Sequence, residues 1–492
     1  MTAREPEEGT PGAQARLRAV EREIFARRPE HAIHPSLDRM IALTALLGDP
    51  QRSYPIIHIT GTNGKTSTAR MTETLLRARG LRTGLFTSPH LMSVRERICV
   101  DGEPISAERF AGAFDELSPY VAMVDQSQPT ALSFFEVLTA MAFAIFADAP
   151  VDVAVLEVGV GGTWDTTNVA DGAVAVVTPI SLDHERYLGE TVRAIAGEKS
   201  GIIKPGAVAV LAQQPVDAAE VLLRRAAEVG ATVVREGLEF GVVRRELAVG
   251  GQQLAIRGLR GSYDDLFLPL FGAHQAVNAA CALAAVEAFA GASEDGPQTG
   301  DAPATGALDD ELVRSAFAMM SSPGRLEVLR RSPTTIIDAA HNPAGMAATV
   351  AALAEAFAFT ELIAIVAISE DKDASGILDA LEPLASQLVV TSYSSPRSAD
   401  AAKLAELAST VFGPDRVTAV AGLDDAIEAG VALADEADAS SGADGGAPGG
   451  AVLLITGSVV TAGEARLLLT RARPGDPAPG PAGAGQGQSG GG

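Results

Sequence analysis

Short apolar runs bounded by glycine or proline alternate along the chain with longer segments of helical composition. The run at 55–60 predicts a buried strand, and residues 66–79 predict the helix that follows it. Further strands are predicted at 151–158 and 173–178, where β-branched residues follow one another with little polar alternation. Such runs are typical of a parallel sheet covered on both faces. The Ala-rich segment 274–290 predicts a long helix.

The same alternation begins again near residue 325, with strands predicted at 334–338, 362–368, 387–391 and 452–456. Two successive α/β units predict two domains, each with its ligand positions at the carboxyl ends of its strands. We therefore expect an α/β fold in which a phosphate-loop ATP-binding domain precedes a smaller, Rossmann-like C-terminal domain.

The expected organisation follows from composition as well as pattern. Residues 1–32 are expected to be a mobile segment and a surface helix (13–28), followed by domains at 33–322 and 323–473 and a disordered tail at 474–492. Stretches at 291–306 and 437–450 are rich in Gly, Ala and Asp, and are predicted to be flexible insertions.

Charge and cysteine content narrow the class of protein. A net charge of −24 argues against a nucleic-acid-binding surface, and an anionic substrate such as ATP would need a local cluster of cations and a metal. No apolar run is long enough for a membrane helix, and the N-terminus lacks the order of a signal peptide. Cys99 and Cys281 stand far apart, so no disulfide or zinc site is expected, and the cytoplasm is the expected compartment.

The segment between the first strand and its helix carries the clearest chemistry. Glycines allow its backbone to wrap phosphate oxygens, and the helix N-terminus and a lysine add positive charge. An ordinary turn is the alternative, and the spacing is shorter than the common phosphate loop because Ile59 stands at the position of its first glycine. The predicted ATP-binding residues here are Thr62, Asn63, Gly64, Lys65, Thr66 and Ser67, and Thr66 or Ser67 can offer a hydroxyl to Mg²⁺.

This loop resembles the nucleotide loop of the Mur ligase superfamily, and in particular of the folylpolyglutamate synthase/dihydrofolate synthase family. The resemblance extends over about residues 33–470, in short segments that keep the order of the family: 86–91 with 96–98, 157–168, 182–189, 198–204, 274–278, 323–325 and 338–343. It implies a Mur-ligase-type central ATPase domain. The implied reaction phosphorylates a substrate carboxylate with ATP, and the amine of L-glutamate then attacks the acyl phosphate.

Glu157 ends an apolar strand, where a carboxylate together with a hydroxyl and an imidazole would suit Mg²⁺ on substrate phosphates. The resemblance assigns metal-binding roles to Ser88, Glu157 and His184, and two Mg²⁺ ions are expected. The alternatives are a turn cap for Ser88 and a hydrogen-bonded core histidine for His184. Together with Lys65 and Lys199, His184 is expected to act in catalysis.

Lysine is scarce, with five (65, 199, 204, 372 and 403) among 38 basic residues, a bias for which genomic base composition is the main explanation. A lysine that remains can still supply a compact or modifiable amine, which arginine cannot. In the family the residue that matches Lys199 carries a carbamate, which converts a cation into an anionic metal ligand. A surface salt bridge with Glu198 is the alternative.

The resemblance also assigns nucleotide and substrate contacts. ATP contacts are implied for Asn278, Arg325 and Asp338, with support from His341. Residues 371–373 also resemble an element of the family, and a solvated charge cluster is the alternative. Contacts to a pterin-bearing substrate are implied for Ile33, His34, Pro35, Ser133, Phe134, Phe135, Glu136, Trp164, Asp165 and Thr166. Core packing is the alternative for the phenylalanines, and Thr163 with Trp164 departs from the Arg-Leu that the family often has.

The expected partners are therefore ATP, L-glutamate, and dihydropteroate or a reduced folate, bound by a monomer. Two other functions fit parts of the pattern. A ligase of peptidoglycan precursors would need a UDP-sugar domain before the loop, where only 60 residues precede it. A phosphate-loop ATPase switch predicts an apolar strand ending in Asp, where this chain has Glu157.

Overall fold

The computed structural model of the protein describes residues 10–30, 32–293, 307–440 and 450–470. The first nine residues, most of the two predicted insertions and the predicted tail lie outside these ranges. Two boundaries predicted for the insertions are wrong. Residues 291–293 end the helix Ala273–Ser293, and residues 437–440 end the helix Leu423–Ser440, because their alanines continue the helical pattern of the preceding turns.

The first unit is built on an eight-stranded sheet in the order β4-β3-β2-β5-β1-β6-β7-β8. Its strands are β1 (Ile56–Thr60), β2 (Thr83–Phe86), β3 (Ile98–Val100), β4 (Glu103–Pro104), β5 (Val153–Glu157), β6 (Val174–Val177), β7 (Val208–Leu211) and β8 (Thr232–Arg235). Strands β3 and β4 form an antiparallel edge, and the other strands are parallel. The strands predicted at 55–60, 151–158 and 173–178 are its three central members.

In the part of the chain that the structure describes, ten α-helices accompany this sheet: α1 (Pro11–Phe25), α2 (Asp38–Leu46), α3 (Lys65–Ala78), α4 (Ala107–Ser127), α5 (Phe134–Asp148), α6 (Glu185–Leu188), α7 (Val192–Lys199), α8 (Val216–Val229), α9 (Ala273–Ser293) and α10 (Asp310–Ala318). Helices α3 and α9 cover one face, where Ile57 and Ile59 of β1 join one core. Helix α5 covers the other face, where Ile56 of β1 joins a second core. The predicted surface helix is α1, which buries Leu17, Val20 and Ile24 in this second core.

Sequence patterning did not predict a three-stranded antiparallel sheet after β8. It consists of β9 (Gly241–Ala248), β10 (Gly251–Arg257) and β11 (Ser262–Leu268), in the order β11-β10-β9. Leu254, Ile256, Leu266 and Leu268 pack from this sheet into the core that contains α9. The outer strand β9 is largely polar and exposed, so it lacks the buried run by which the central strands were predicted.

The second unit is a six-stranded sheet in the order β12-β13-β17-β14-β15-β16. The strands are β12 (Glu327–Arg331), β13 (Thr334–Ile337), β14 (Leu362–Val366), β15 (Gln387–Val390), β16 (Val417–Ala419) and β17 (Val452–Thr456), and only β12 runs antiparallel to its neighbour. Its helices are α11 (Pro343–Ala356), α12 (Ala374–Leu381), α13 (Ala401–Phe412), α14 (Leu423–Ser440) and α15 (Val459–Thr470). All four strands predicted in this half are present, and the expected α/β architecture is confirmed. Among the described helices, none combines the length and apolar composition that a bilayer crossing requires.

Candidate active site

The phosphate loop lies between β1 and α3, at the carboxyl end of the central strand. Gly64 adopts φ 88° and precedes the first residue of α3, so the loop turns directly into the helix N-terminus. The segment after β6 holds the loop in place: the Thr62 amide donates to the Pro179 carbonyl at 3.0 Å, and the Thr178 hydroxyl donates to the Asn63 carbonyl at 2.7 Å. This strand–loop–helix arrangement is that of an anion site rather than of an ordinary turn.

Lys65 folds back over this loop, where its ammonium donates to the Thr62 carbonyl at 3.0 Å. Burial lowers the pKa of Lys65, and the carboxylates of Glu157 and Asp183 oppose that shift. The cation is therefore held near two anions and close to the loop amides. A bound phosphate would meet these groups together.

Glu157 is the last residue of β5, and its carboxylate faces the start of α3. One oxygen accepts from the Thr66 hydroxyl at 2.8 Å, and the other accepts from the Ser88 amide at 3.1 Å. Burial raises the pKa of Glu157, and Lys65 lowers it. The side chain of Ser67 turns away, within 2.9 Å of the Ser322 hydroxyl, so Thr66 is the loop hydroxyl next to the carboxylate.

Lys199 ends α7 and is only 4% exposed, so a surface salt bridge with Glu198 is wrong. Its amine donates to the Gly61 carbonyl of the phosphate loop at 2.7 Å. Burial and the neighbouring Lys65 lower the pKa of Lys199 to about 7. A substantial fraction of this amine is thus uncharged near neutral pH, as a nucleophilic amine must be.

A charged cluster joins the two units beside the loop. Lys372 and Asp183 form an ion pair of 2.6 Å, at 7% and 8% side-chain exposure, so Lys372 does not belong to a solvated charge cluster. The Nε2 atom of His184 lies 3.4 Å from the Lys372 amine, and that of His341 lies 3.8 Å from an Asp183 oxygen.

Burial and the nearby Lys372 lower the pKa of His184 to about 3 and that of His341 to about 4, so both imidazoles are neutral near pH 7. His184 is 32% exposed on its side chain and is therefore not a core histidine. Among the described residues, no cluster of three or more His, Cys, Asp or Glu side chains has the geometry of a metal site.

Asparagine side chains add a second contact across the same junction. The amides of Asn63 and Asn342 donate to each other's oxygen at 3.2 and 3.0 Å, and Asn342 also donates to Asp183 at 3.1 Å. The phosphate loop is thereby bonded to Asn342, the N-cap residue of α11 in the C-terminal unit.

The remaining predicted ATP residues surround the loop to different degrees. A Cβ atom on Gly64 would lie 2.4 Å from the Asn278 oxygen, which places Asn278 against the loop. Arg325 interacts electrostatically with Lys65 and Glu157. Asp338 is buried and accepts from the amides of Leu326 and Ala340 and from the Thr349 hydroxyl, so it organises the turn that carries Arg325.

A cavity of about 1450 Å³ opens between the two units beside this cluster. It is lined by most of the predicted substrate residues, namely Ile33, His34, Ser133, Phe135, Glu136, Trp164, Asp165 and Thr166, together with Lys65, Ser88, His184 and His341. Pro35 and Phe134 do not line it. Phe134 stacks on Phe25 with ring centroids 5.0 Å apart, and this contact corresponds to the packing alternative.

Two arginines of this cavity were not predicted from the sequence. Glu136, which caps α5 with Ser133, accepts from Arg39 at 2.8 Å and from Arg28 at 3.3 Å. Two guanidinium groups thus share one carboxylate at the cavity wall. Asp183 and Asn342 lie inside the 182–189 and 338–343 segments but were given no role of their own, and the role of Lys372 was left open.

Two family models match the chain. The Mur ligase middle domain matches residues 59–286, and the glutamate ligase domain of Mur ligases matches residues 324–442. The dihydrofolate synthase/folylpolyglutamate synthase of Mycobacterium tuberculosis is 51% identical over 475 residues, which cover 94% of this chain and 96% of the relative. This chain belongs to the dihydrofolate synthase/folylpolyglutamate synthase family. It is an ATP-dependent ligase of the Mur ligase superfamily, as its motifs predicted.

Solved structures of family members agree with the architecture of this ligase. The M. tuberculosis folylpolyglutamate synthase complexed with ADP and AMPPCP has a TM-score of 0.86 at 50% identity, covering 94% of this chain and 99% of that one. The Escherichia coli member in complex with DHPP and ADP has a TM-score of 0.77 at 27% identity, with coverage of 94% and 99%.

Proposed function

We propose that this ligase joins L-glutamate to the carboxylate of a pterin-bearing substrate, dihydropteroate or a reduced folate, with conversion of ATP to ADP and phosphate. The observation that carries the proposal is the large cavity, which is lined by Lys65 of the phosphate loop and by the aromatic side chains of Trp164 and Phe135. Aromatic side chains of this kind suit a flat heterocycle. The nucleotides bound by family members support ATP as the co-substrate.

The reaction requires a carboxylate oxygen to attack the γ-phosphorus of ATP, which gives an acyl phosphate and ADP. The glutamate amine then attacks the acyl carbon, phosphate leaves, and the amine loses a proton. We assign to Lys65 and the loop amides the stabilisation of the charge that develops on the transferred phosphoryl group; the contact of Lys65 with the loop supports this role. The Asp183–Lys372 and Asn63–Asn342 contacts join the two units beside the loop and support the proposal that the acyl phosphate is shielded from water.

The oxygen atoms around Glu157 suit Mg²⁺, which prefers oxygen ligands. When Mg²⁺ is bound to phosphates, the protein supplies only a few of its ligands. Glu157, Ser88 and Thr66 would hold one ion, and a carbamate on Lys199 with His184 would contribute to a second. When bound, the metal supplies charge neutralisation on the phosphates. The buried Glu157 carboxylate, whose pKa is raised by burial, supports this assignment because a nearby cation would offset its desolvation.

Carbamate formation on Lys199 is part of the proposal. The uncharged amine attacks CO₂, a C–N bond forms, and one proton leaves to solvent. Burial of Lys199 and its lowered pKa support the reaction, because a fully protonated amine has no lone pair to attack with.

We further propose that the enzyme works in the cytoplasm. Its two cysteines are buried and free, which supports a reducing compartment. We also propose that the enzyme acts as a monomer.

The test is the dependence of ADP formation on the other two substrates. Purified enzyme with Mg²⁺ and ATP should form ADP only when L-glutamate and a pterin-bearing acceptor are both present. Parallel assays with dihydropteroate and with a reduced folate would separate dihydrofolate synthesis from chain extension. Turnover with UDP-muramyl acceptors, and none with either folate-type acceptor, would contradict the proposal.

A further inference from the structure

His58 is a buried titratable residue to which the proposed mechanism gives no role. It lies in the middle of β1 and is completely buried. Its Nε2 atom lies 2.8 Å from the hydroxyl oxygen of Thr167, in the short helical turn that follows the glycine-rich segment 159–162. Burial lowers the pKa of His58 to about 3, so its ring is neutral near pH 7.

The direction of these hydrogen bonds can be derived. The hydroxyl of Thr167 donates its single proton to Asp165 Oδ1 at 2.5 Å, and the Thr167 amide donates to the same oxygen at 3.0 Å. The hydroxyl can therefore only accept from His58, which must carry its proton on Nε2. In agreement, Nδ1 of His58 is a buried atom without a hydrogen-bond partner.

Asp165 transmits this arrangement to the cavity wall. Its second oxygen accepts from the Val160 amide at 3.0 Å, so the carboxylate ties both ends of the loop 159–167 together. Hydrogen bonds from Thr167, Val160 and Gly159 oppose the rise that burial causes in the pKa of Asp165. Trp164 lies within this loop and lines the cavity.

We propose that His58 and Thr167 are positioning residues that, through Asp165, hold the loop 159–167 in the shape that receives the heterocycle of the substrate. The identity of that heterocycle rests on the proposed function, but the relay itself does not. The loop is also anchored at Gly161, whose carbonyl accepts from the Thr60 hydroxyl at 2.8 Å. The central strand β1 thus leads into the phosphate loop at its carboxyl end, and its side chains His58 and Thr60 hold the loop 159–167.

The test compares isosteric variants of Thr167. Thr167→Val removes the hydroxyl and should raise the KM for the pterin-bearing acceptor at least about tenfold, since a bond to a charged group is lost. The KM for ATP should stay within about twofold, because the phosphate loop has separate contacts. Thr167→Ser should restore the acceptor KM. An unchanged acceptor KM in Thr167→Val, or an equal rise in the KM for ATP, would overturn the proposal.

Fluorescence provides a readout that does not depend on activity, because Trp164 is the only tryptophan. Thr167→Val and His58→Leu should shift its emission to longer wavelength and increase quenching by acrylamide, whereas Thr167→Ser and His58→Gln should match the wild type. Thr72→Val, which removes a buried hydroxyl bonded only within α3, is the control for general loss of stability. An emission shift in Thr72→Val as large as that in Thr167→Val would contradict the relay of His58, Thr167 and Asp165.

The fluorescence result and the proposed function can fail separately. If the wild type uses no folate-type acceptor but the emission shifts are observed, the proposed function fails and the relay stands.

Discussion

At the scale of single residues, the proposed chemistry depends on two lysines that contact adjacent carbonyls of one loop. Lys65 donates to the Thr62 carbonyl, and Lys199 donates to the Gly61 carbonyl. Two cations this close repel each other in a buried site, and this repulsion contributes to the lowered pKa of Lys199. A carbamate on Lys199 would replace that repulsion with attraction.

Substitution of Lys199 tests the carbamate. Lys199→Arg should reduce kcat at least about a thousandfold, a loss of the size found when a catalytic electrostatic group is removed, because arginine keeps a fixed charge and forms no carbamate. Lys199→Ala should be equally impaired but partly restored by millimolar formate or acetate, measured as ADP formation. Full activity of Lys199→Arg would remove the carbamate from the mechanism.

The pH dependence of stability offers a second test of Lys199. Its ordinary pKa of 10.5 falls to about 7 in the folded protein, so between these values the unfolded chain binds one proton more. The free energy of unfolding should therefore rise with pH from about 7 to 10 in CO₂-free buffer. Urea denaturation should give this slope for the wild type and a flatter one for Lys199→Met. Identical slopes would show that the amine is not held in a low-pKa environment.

At the scale of elements, the start of α3 combines two constraints at one glycine. Gly64 has a positive φ, and a Cβ there would lie 2.4 Å from Asn278. Gly64→Ala should therefore weaken ATP binding at least about tenfold, since both the turn and the position of Asn278 must change. Calorimetric titration with AMPPCP would measure this.

Gly80 provides the matched control for that substitution. It also has a positive φ, of 84°, but nothing lies within 4 Å of a Cβ at this position, after the end of the same helix. Gly80→Ala should lower stability by about 1 kcal/mol and leave nucleotide affinity unchanged. Equal losses of affinity in the two variants would show that backbone strain alone explains the Gly64 result.

The central strands with continuous apolar runs were predicted from the sequence, whereas a strand that depends on tertiary pairing was not. Strands β1, β5 and β6 each bury every residue, so their sequences carry the signal directly. Strand β9 buries little and is held by pairing with β10, which leaves no local apolar pattern. The phosphate loop was found because its function depends on a local sequence with a fixed spacing.

At the scale of the whole molecule, the candidate active site lies where the two units meet. Asp183 and Lys372 are 189 residues apart, and their ion pair could not be read from either segment alone. Motif matching identified Ser88, Glu157, His184 and Lys199 as a group, but tertiary structure was needed to reveal Asn342 and the arginine pair at Glu136. The sequence thus indicated candidate residues within each unit but not the contacts between the two units.

The ion pair at this junction should stabilise the closed arrangement. Lys372→Met leaves the buried Asp183 carboxylate without its 2.6 Å partner, and should lower the free energy of unfolding by about 3 kcal/mol or more. Arg193→Met, which breaks exposed pairs with Asp217 and Glu220, should leave the free energy of unfolding nearly unchanged, because solvent screens exposed ion pairs. Similar small losses in both variants, measured by urea denaturation, would show that the junction is not held by this pair.

The central claim is that a substrate carboxylate is phosphorylated at the phosphate loop before glutamate attacks. Transfer of isotopic oxygen tests it most directly. When the carboxylate of the pterin-bearing acceptor is labelled with ¹⁸O, each phosphate released in the presence of ATP and L-glutamate should carry one labelled oxygen, because the acyl phosphate breaks at the carbon–oxygen bond. Release of unlabelled phosphate during product formation would contradict an acyl-phosphate intermediate.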